Sequence, residues 1–209
     1  MNIRPYIAEF LGTFTLTMIV LFTSGTFVAE LGIPTAYLAG ITLGLFVYTV
    51  GSISGAHLNP AVTIALATIK KISVPEAVYY MLAQFVGAIA ASYAAWHITG
   101  SWVVANVGNT AMETIAEAMG AFVLVWGIMA VVEGKVSKGA SGLVIGGSLT
   151  LGVLIALGAG SNGVLNPAVA MGAHSFASAY LVGPIVGAIA AAWAYRALAE
   201  APKPHEHVA

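Results

Sequence analysis

The sequence predicts an all-α membrane protein of six transmembrane helices plus two re-entrant half-helices, arranged as two inverted repeats. Three observations carry this. The 209 residues are 59% hydrophobic and only 7% charged, with a mean hydropathy of +0.94, whereas a soluble domain carries roughly 25% charged residues. A Leu-Asn-Pro-Ala-Val segment occurs twice, at 58–62 and 165–169. The sequence around the first copy also has other matches in the second half.

Seven basic and eight acidic side chains cannot cover a soluble surface, so the chain belongs in a bilayer. The near-zero net charge of −1 argues against a nucleic-acid surface. With no Cys, neither a disulfide framework nor a thiolate-ligated metal site is available, and no cofactor is expected. The first apolar run lacks a small-residue cleavage signal and is read as a retained helix.

Runs of roughly 20 apolar residues are long enough to span. They fall at 5–28, 35–50, 75–99, 112–132, 141–157 and 178–199, with a tail at 200–209. Together they make one channel domain, its repeats at about 4–99 and 112–199. The two remaining apolar stretches, 59–69 and 166–176, each start at Asn-Pro. Asn is a favoured helix N-cap, and Pro suits the first helical turn because its φ is preset and it has no amide hydrogen to leave unpaired. About 11 residues at 1.5 Å each reach only about half of a ~30 Å hydrocarbon core. They are therefore interfacial, or they enter and return.

Charge selects re-entrance. Arg4, Lys70, Lys71, Lys135, Lys138, Arg196 and Lys203 are all the basic residues. With six crossings and two returning segments, all fall on the side of the termini, which is then cytoplasmic. A full crossing at 59–69 would place Lys70 and Lys71 on the other side. The cell membrane is the expected location.

Internal similarity fixes the symmetry. Ile7-Ala8-Glu9 and Gly12 match Ile115-Ala116-Glu117 and Gly120, and Val86-Gly87-Ala88-Ile89-Ala90-Ala91 recurs at 186–191. Three crossings per repeat is an odd number, so the second repeat is inverted, an architecture found in transport proteins. Gly87, Ala91, Gly183, Gly187 and Ala191 are read as close-packing positions.

Irregular backbone at membrane depth is tolerated only where it lines a wet path or is buried in protein. The carbonyls of Gly55, Ala56 and His57, and of Asn162, Gly163 and Val164, are therefore expected to line a polar path. At its centre Asn59, Pro60 and Ala61 meet Asn166, Pro167 and Ala168, with the asparagine NH₂ groups turned inward as donors. Two facing helix N-termini, each roughly +0.5 e, would repel cations and protons. Glu9 and Glu117 are intramembrane acids. They are either a proton relay or cation site, or buttresses that accept hydrogen bonds from the re-entrant loop of their own half. Their repeat-related placement favours buttresses. His57 lies in the first loop, as a pore side chain or a packing one, and His97 and His174 are expected toward the outer side.

These residues resemble the aquaporin and glycerol-facilitator channel family, from Glu9 to Trp193. The resemblance implies a homotetramer with one pore per subunit, and water with small neutral solutes as its partners. It implies buttress roles for Glu9 and Glu117. It also implies an outer selectivity filter at Ala39, Leu154, Gly163 and Val169, counted from the asparagines. Water-selective members typically place an aromatic, a His and an Arg there. Val169 departs from that Arg, as in plant vacuolar-membrane members, and Ala170 departs from the Asp of glycerol-selective ones. An apolar ring of this kind would pass water together with ammonia, hydrogen peroxide or urea. A secondary transporter would need further substrate-binding charges. An intramembrane enzyme would need a nucleophile–base set or metal motif, and neither a His-Glu-x-x-His nor a Gly-x-Ser-x-Gly is present.

Overall fold

The computed structural model describes residues 2–24, 34–104, 108–175 and 177–199. The tail at 200–209, Phe176 and the end of the first predicted span lie outside the described residues. Among the described residues there are eight α-helices: α1 (Arg4–Ser24), α2 (Thr35–Ser54), α3 (Pro60–Thr68), α4 (Val74–Thr99), α5 (Ala111–Val132), α6 (Ser141–Gly158), α7 (Pro167–Gly172) and α8 (Ala179–Ala199). Six are long and apolar enough to cross a membrane; α3 and α7 are not.

Local chemistry sets the boundaries. Ser73 caps α4 through Glu76 N–H, and Thr110 with Glu113 forms a reciprocal capping box at α5. Asn109 Oδ1 accepts from Ala179 N–H at 3.1 Å, so the residue before one helix caps another distant in sequence. α2 runs four residues past its predicted end, stopping where Gly55 takes φ 86° and returns its N–H to Gly51. Gly51-Ser52 reads as a loop by composition, but helix continues through it. The second half-helix is shorter than predicted, ending at Gly172 rather than 176. There His174 turns to φ 54° and Ser175 N–H bonds back to Ala170 O at 2.8 Å.

α1 packs on α4 and α5 on α8, the same pair in each repeat. α2 packs on α6 across the repeat boundary, backbone to backbone: a Cβ on Gly44 would lie 2.7 Å from Gly142 O. Gly87 approaches Phe10 O, and Gly187 approaches Ala118 O, so these small residues are packing positions. Each half-helix crosses over, α3 against α8 and α7 against α4.

Polar links tie one end together. Lys71 pairs with Glu133 at 3.0 Å, Arg196 donates to Ile69 O at 3.3 Å, and Tyr48 Oη donates to Gly139 O at 2.9 Å. This end therefore carries the start of α4, the end of α5, the start of α6 and the end of α8. α1 also starts there, since Tyr6 lies against Tyr79 and Tyr80. α1 and α5 begin at opposite ends, so the repeats are inverted. At the other end Trp102 stacks on Trp96 and meets His174 edge-on, and Ser92 Oγ lies 3.1 Å from His174 Nε2.

Candidate functional site: a paired asparagine junction at the end of a cavity

Each re-entrant loop is bent by residues in the left-handed region: Ala56 (φ 50°) and Leu58 (φ 50°) in one, Gly163 (φ 64°) and Leu165 (φ 54°) in the other. Such angles are unfavourable for non-glycine residues and persist only where surroundings enforce them. Glu9 enforces the first loop. Its Oε1 accepts from Ser54 Oγ (2.6 Å) and His57 N–H (3.0 Å). Its Oε2 accepts from Leu58 N–H (2.6 Å) and Gln84 Nε2 (2.8 Å). Glu117 enforces the second, accepting from Ser161 Oγ, Val164 N–H (3.0 Å) and Leu165 N–H (2.6 Å). Both carboxylates are fully buried. Their lone pairs go to donors at the re-entrant loops, joined at Glu9 by Gln84 of α4.

One turn beyond each glutamate stands a glycine. A Cβ on Gly12 or on Gly120 would run into the side chain of Leu58 or Leu165 respectively. The Glu-x-x-Gly pair therefore does two things: the acid holds the loop amides, and the glycine receives the loop leucine.

The loops end in the two asparagines. Asn59 Oδ1 accepts from Ala61 N–H (2.8 Å), and Asn166 Oδ1 from Ala168 N–H (3.0 Å), so both are side-chain N-caps, with Pro60 and Pro167 as first helical residues. Their amide nitrogens cross over. Asn59 Nδ2 donates to Leu165 O and Asn166 Nδ2 to Leu58 O, each at 2.9 Å. The sequence reading turns both NH₂ groups into the pore as donors. Here each spends one hydrogen on the opposite repeat and keeps one for the cavity.

That cavity, of about 450 Å³, is lined from Ser24, Pro34 and Val103 at the Trp102 end to Asn59, Asn166 and His57. Its walls are mostly aliphatic, and among the described residues no Asp, Glu, Lys or Arg lines it. Ala39, Gly163 and Val169 line it, with His57, Asn162 and Val164. Leu154 does not. It is 38% exposed on the outer side of α6, and the adjacent Val153 takes the lining position. Successive helical residues point about 100° apart, so a count carried back from Asn166 across an irregular loop needs to slip by only one to select the wrong face. Val153 is confirmed at the wall by Gly163, whose Cβ would fall 2.8 Å from Val153 O. Gly55 and Ala56 are also not among the lining residues: Gly55 caps α2, and Ala56 N–H bonds Ser54 Oγ at 3.0 Å.

Sequence reasoning missed Ser54, Ser161, Thr63 and Gln84. The serines had a signal, since Ser54 and Ser161 stand 107 positions apart like the asparagines. Tyr80 and Tyr180 are a further repeat-related pair: Tyr80 Oη donates to Ser54 O at 2.9 Å, and Tyr180 Oη accepts from Asn162 N–H at 3.3 Å.

Comparison with known proteins places this geometry. The family profile described as Major intrinsic protein matches residues 1–195. Aquaporin AqpM of Methanothermobacter marburgensis is 32% identical over 92% of this chain and 96% of its own. Glycerol uptake facilitator protein-like 6 of Lactiplantibacillus plantarum is 34% identical over 93% of this chain and 98% of its own. Among solved structures, the aquaglyceroporin from Plasmodium falciparum superposes with a TM-score of 0.70 at 23% identity, covering 93% of this chain and 96% of that one.

Proposed function

Since the chain belongs to the major intrinsic protein family of membrane channels, we propose that it is a passive pore for water and small neutral solutes such as ammonia, hydrogen peroxide and urea. One observation carries the reading: the crossed pair Asn59 and Asn166 stands at the end of a cavity that no charged side chain lines among the described residues. A molecule reaching the junction meets two fixed donors. A cation reaching it has left its hydration behind and finds no carboxylate in exchange, while the two half-helix N-termini present positive ends. The family consists of channels, not enzymes.

Selectivity is assigned to Ala39, Val153, Gly163 and Val169. Two are small and none carries a cation, so the filter excludes charge better than size. That favours solutes larger than water. Glycerol is the second reading, supported by the small Ala39 and Gly163 and by the relative named as a glycerol uptake facilitator. Lys71, Arg196 and the residues packed with them mark the cytoplasmic end by the basic-residue rule, which puts both termini there, in the cell membrane. Four copies are taken to assemble, each with its own pore, as the family implies.

The test is stopped-flow light scattering on proteoliposomes, comparing water, ammonia and glycerol for native protein and Val169→Arg. Native passage of all three, narrowed to water alone by the arginine, supports the broad filter. Native passage of water alone moves selectivity to Asn59 and Asn166. No flux from folded protein defeats the channel reading.

A further inference from the structure

The pair α2 and α6 carries a second hollow, a groove of about 510 Å³ on the face turned to the membrane. The pore cavity is lined by Ala39, Leu43, Leu149 and Val153 of the same two helices, so the groove is separate from it. Its floor is backbone. Gly40, Gly44, Gly142 and Gly146 lie there, and a Cβ on any of them would come less than 3 Å from atoms of the opposite helix. Its sides are Ile41 and Leu45 of α2 and Leu143 of α6, all exposed.

Gly147 also lines the groove, and close packing does not account for it. The helix is regular around it, and a Cβ there would meet nothing within 4 Å. A glycine inside a helix is less stable than alanine at the same place. Contact with the partner helix explains the other four glycines but not this one. What its missing side chain does is keep the groove open toward the outside of the molecule.

The groove has one charged end. Along α6 it extends from Gly142, next to the helix start, to Thr150, halfway along. That is about 12 Å at 1.5 Å per residue, close to one leaflet's half of a ~30 Å hydrocarbon core. It is the half on the side of the basic residues. Tyr48, which lines the groove, donates from Oη to Gly139 O at 2.9 Å and accepts from Leu143 N–H at 3.1 Å. Gly139 directly follows Lys138, and Lys135 is in the same connection. Both lysines are exposed, and among the described residues neither is in an ion pair. Glu133 is the one carboxylate between Glu117 and Glu200, and Lys71 engages it at 3.0 Å. α6 starts here without a side-chain cap, so its positive end adds to the two lysines.

We propose that the groove between α2 and α6 binds an anionic phospholipid of the cytoplasmic leaflet, with an acyl chain lying along Gly147 and the phosphate at Lys135 and Lys138. An apolar trough one leaflet deep, with cations at headgroup level, has the same division as the molecule it would hold. A second copy of the chain matches it less well, because rotation about an axis along the membrane normal would gather the same lysines at one end. The site lies outside the conduction path and does not rest on the channel reading.

The test is photolabelling in phosphatidylcholine bilayers that contain a small fraction of either phosphatidylglycerol or phosphatidylcholine carrying the same photoreactive acyl chain. Labelled residues are read by mass spectrometry. Leu82 and Val86, exposed on α4, report ordinary contact with lipid. Phosphatidylglycerol is expected to label Ile41, Leu45 and Leu143 about fivefold more than phosphatidylcholine does, while the two lipids label Leu82 and Val86 alike. Lys135→Gln combined with Lys138→Gln brings the groove ratio to one. Gly147→Trp, which fills the trough from an open position, removes groove labelling by both lipids and keeps that of α4. Equal labelling of the native groove by the two lipids overturns the proposal in favour of ordinary boundary lipid. A native groove left unlabelled while α4 is labelled overturns it in favour of a second copy. A ratio unchanged in the lysine variant overturns the headgroup assignment. No readout depends on water flux, so failure of the channel reading and failure of the lipid site are told apart.

Discussion

Asn59 Nδ2 lies 2.9 Å from the carbonyl oxygen of Leu165, a residue of the other repeat, and Asn166 returns the same bond to Leu58. All four residues are buried, with Leu58 and Leu165 at 0% exposure. The junction is thus held by side-chain amides bonding across the repeat boundary to backbone that already sits in the left-handed region.

Replacing Asn59 by Asp sets a carboxylate against the Leu165 carbonyl. The expected loss is about 1–3 kcal/mol of stability, the cost of leaving a buried partner unsatisfied, with a rise in cation leak as the positive centre is neutralised. Thermal unfolding in detergent and conductance in planar bilayers measure the two. An Asp variant that is as stable and as cation-tight as the native channel would defeat the account.

Glu9 holds four donors and Glu117 three. Hydrogen bonds to a charged group are worth about 1.5–3 kcal/mol each. Glu9→Gln and Glu117→Gln should both sharply reduce the yield of folded protein. Ser54→Ala and Ser161→Ala each remove a single donor and should cost about 1–3 kcal/mol. Expression and denaturation midpoints test the order: serine variants mild, glutamine variants severe.

Gly12 and Gly120 receive the loop leucines. Gly12→Val should cost about 1–3 kcal/mol by overpacking and lower water flux, because Leu58 cannot keep its place. Gly139 meets nothing within 4 Å, and Gly139→Ala should leave both properties unchanged. Equal effects at the two positions would show that the loop leucine does not depend on the glycine.

Val153 and Leu154 offer a direct test of which face of α6 meets the cavity. Val153→Trp should cut water flux by about tenfold or more by narrowing the passage. Leu154→Trp, on the outer face, should leave flux per folded channel near native. The reverse result in stopped-flow measurements would return Leu154 to the pore.

Lys71 and Glu133 pair at 3.0 Å but are 39% and 25% exposed. Lys71→Ala should cost less than about 1 kcal/mol, read from the denaturation midpoint. A larger loss would mean that the pair joins the two repeats more firmly than a solvent-screened contact can.

What the sequence made legible was whatever appears twice or depends on composition. Glu9 with Glu117 and Asn59 with Asn166 could be found because inversion repeats each constraint, and the span lengths follow from hydrocarbon thickness. Two kinds of information were hidden. Leu154 was chosen in place of Val153 because a helical face cannot be counted through a loop that turns left-handed at Gly160, Gly163 and Leu165. Gln84 and Thr63 were passed over because they occur in one copy only, and a lone Gln in an apolar helix has no sequence signal for its partner. The end of α7 also escaped, since Gly172-Ala173-His174 carries no strong stop and the turn depends on the bond from Ser175 N–H to Ala170 O.

The crossed asparagine bonds also bear on biosynthesis. A ribosome that has delivered only the first repeat to the bilayer has made an Asn59 amide and a Leu58 carbonyl whose partners do not yet exist. Both groups would be dehydrated at mid-depth with nothing to bond, at a cost that keeps the half-helix α3 from settling. The junction therefore cannot form before the second re-entrant loop has entered the bilayer. Any truncation before Leu165 leaves the Asn59 amide and the Leu58 carbonyl without these partners.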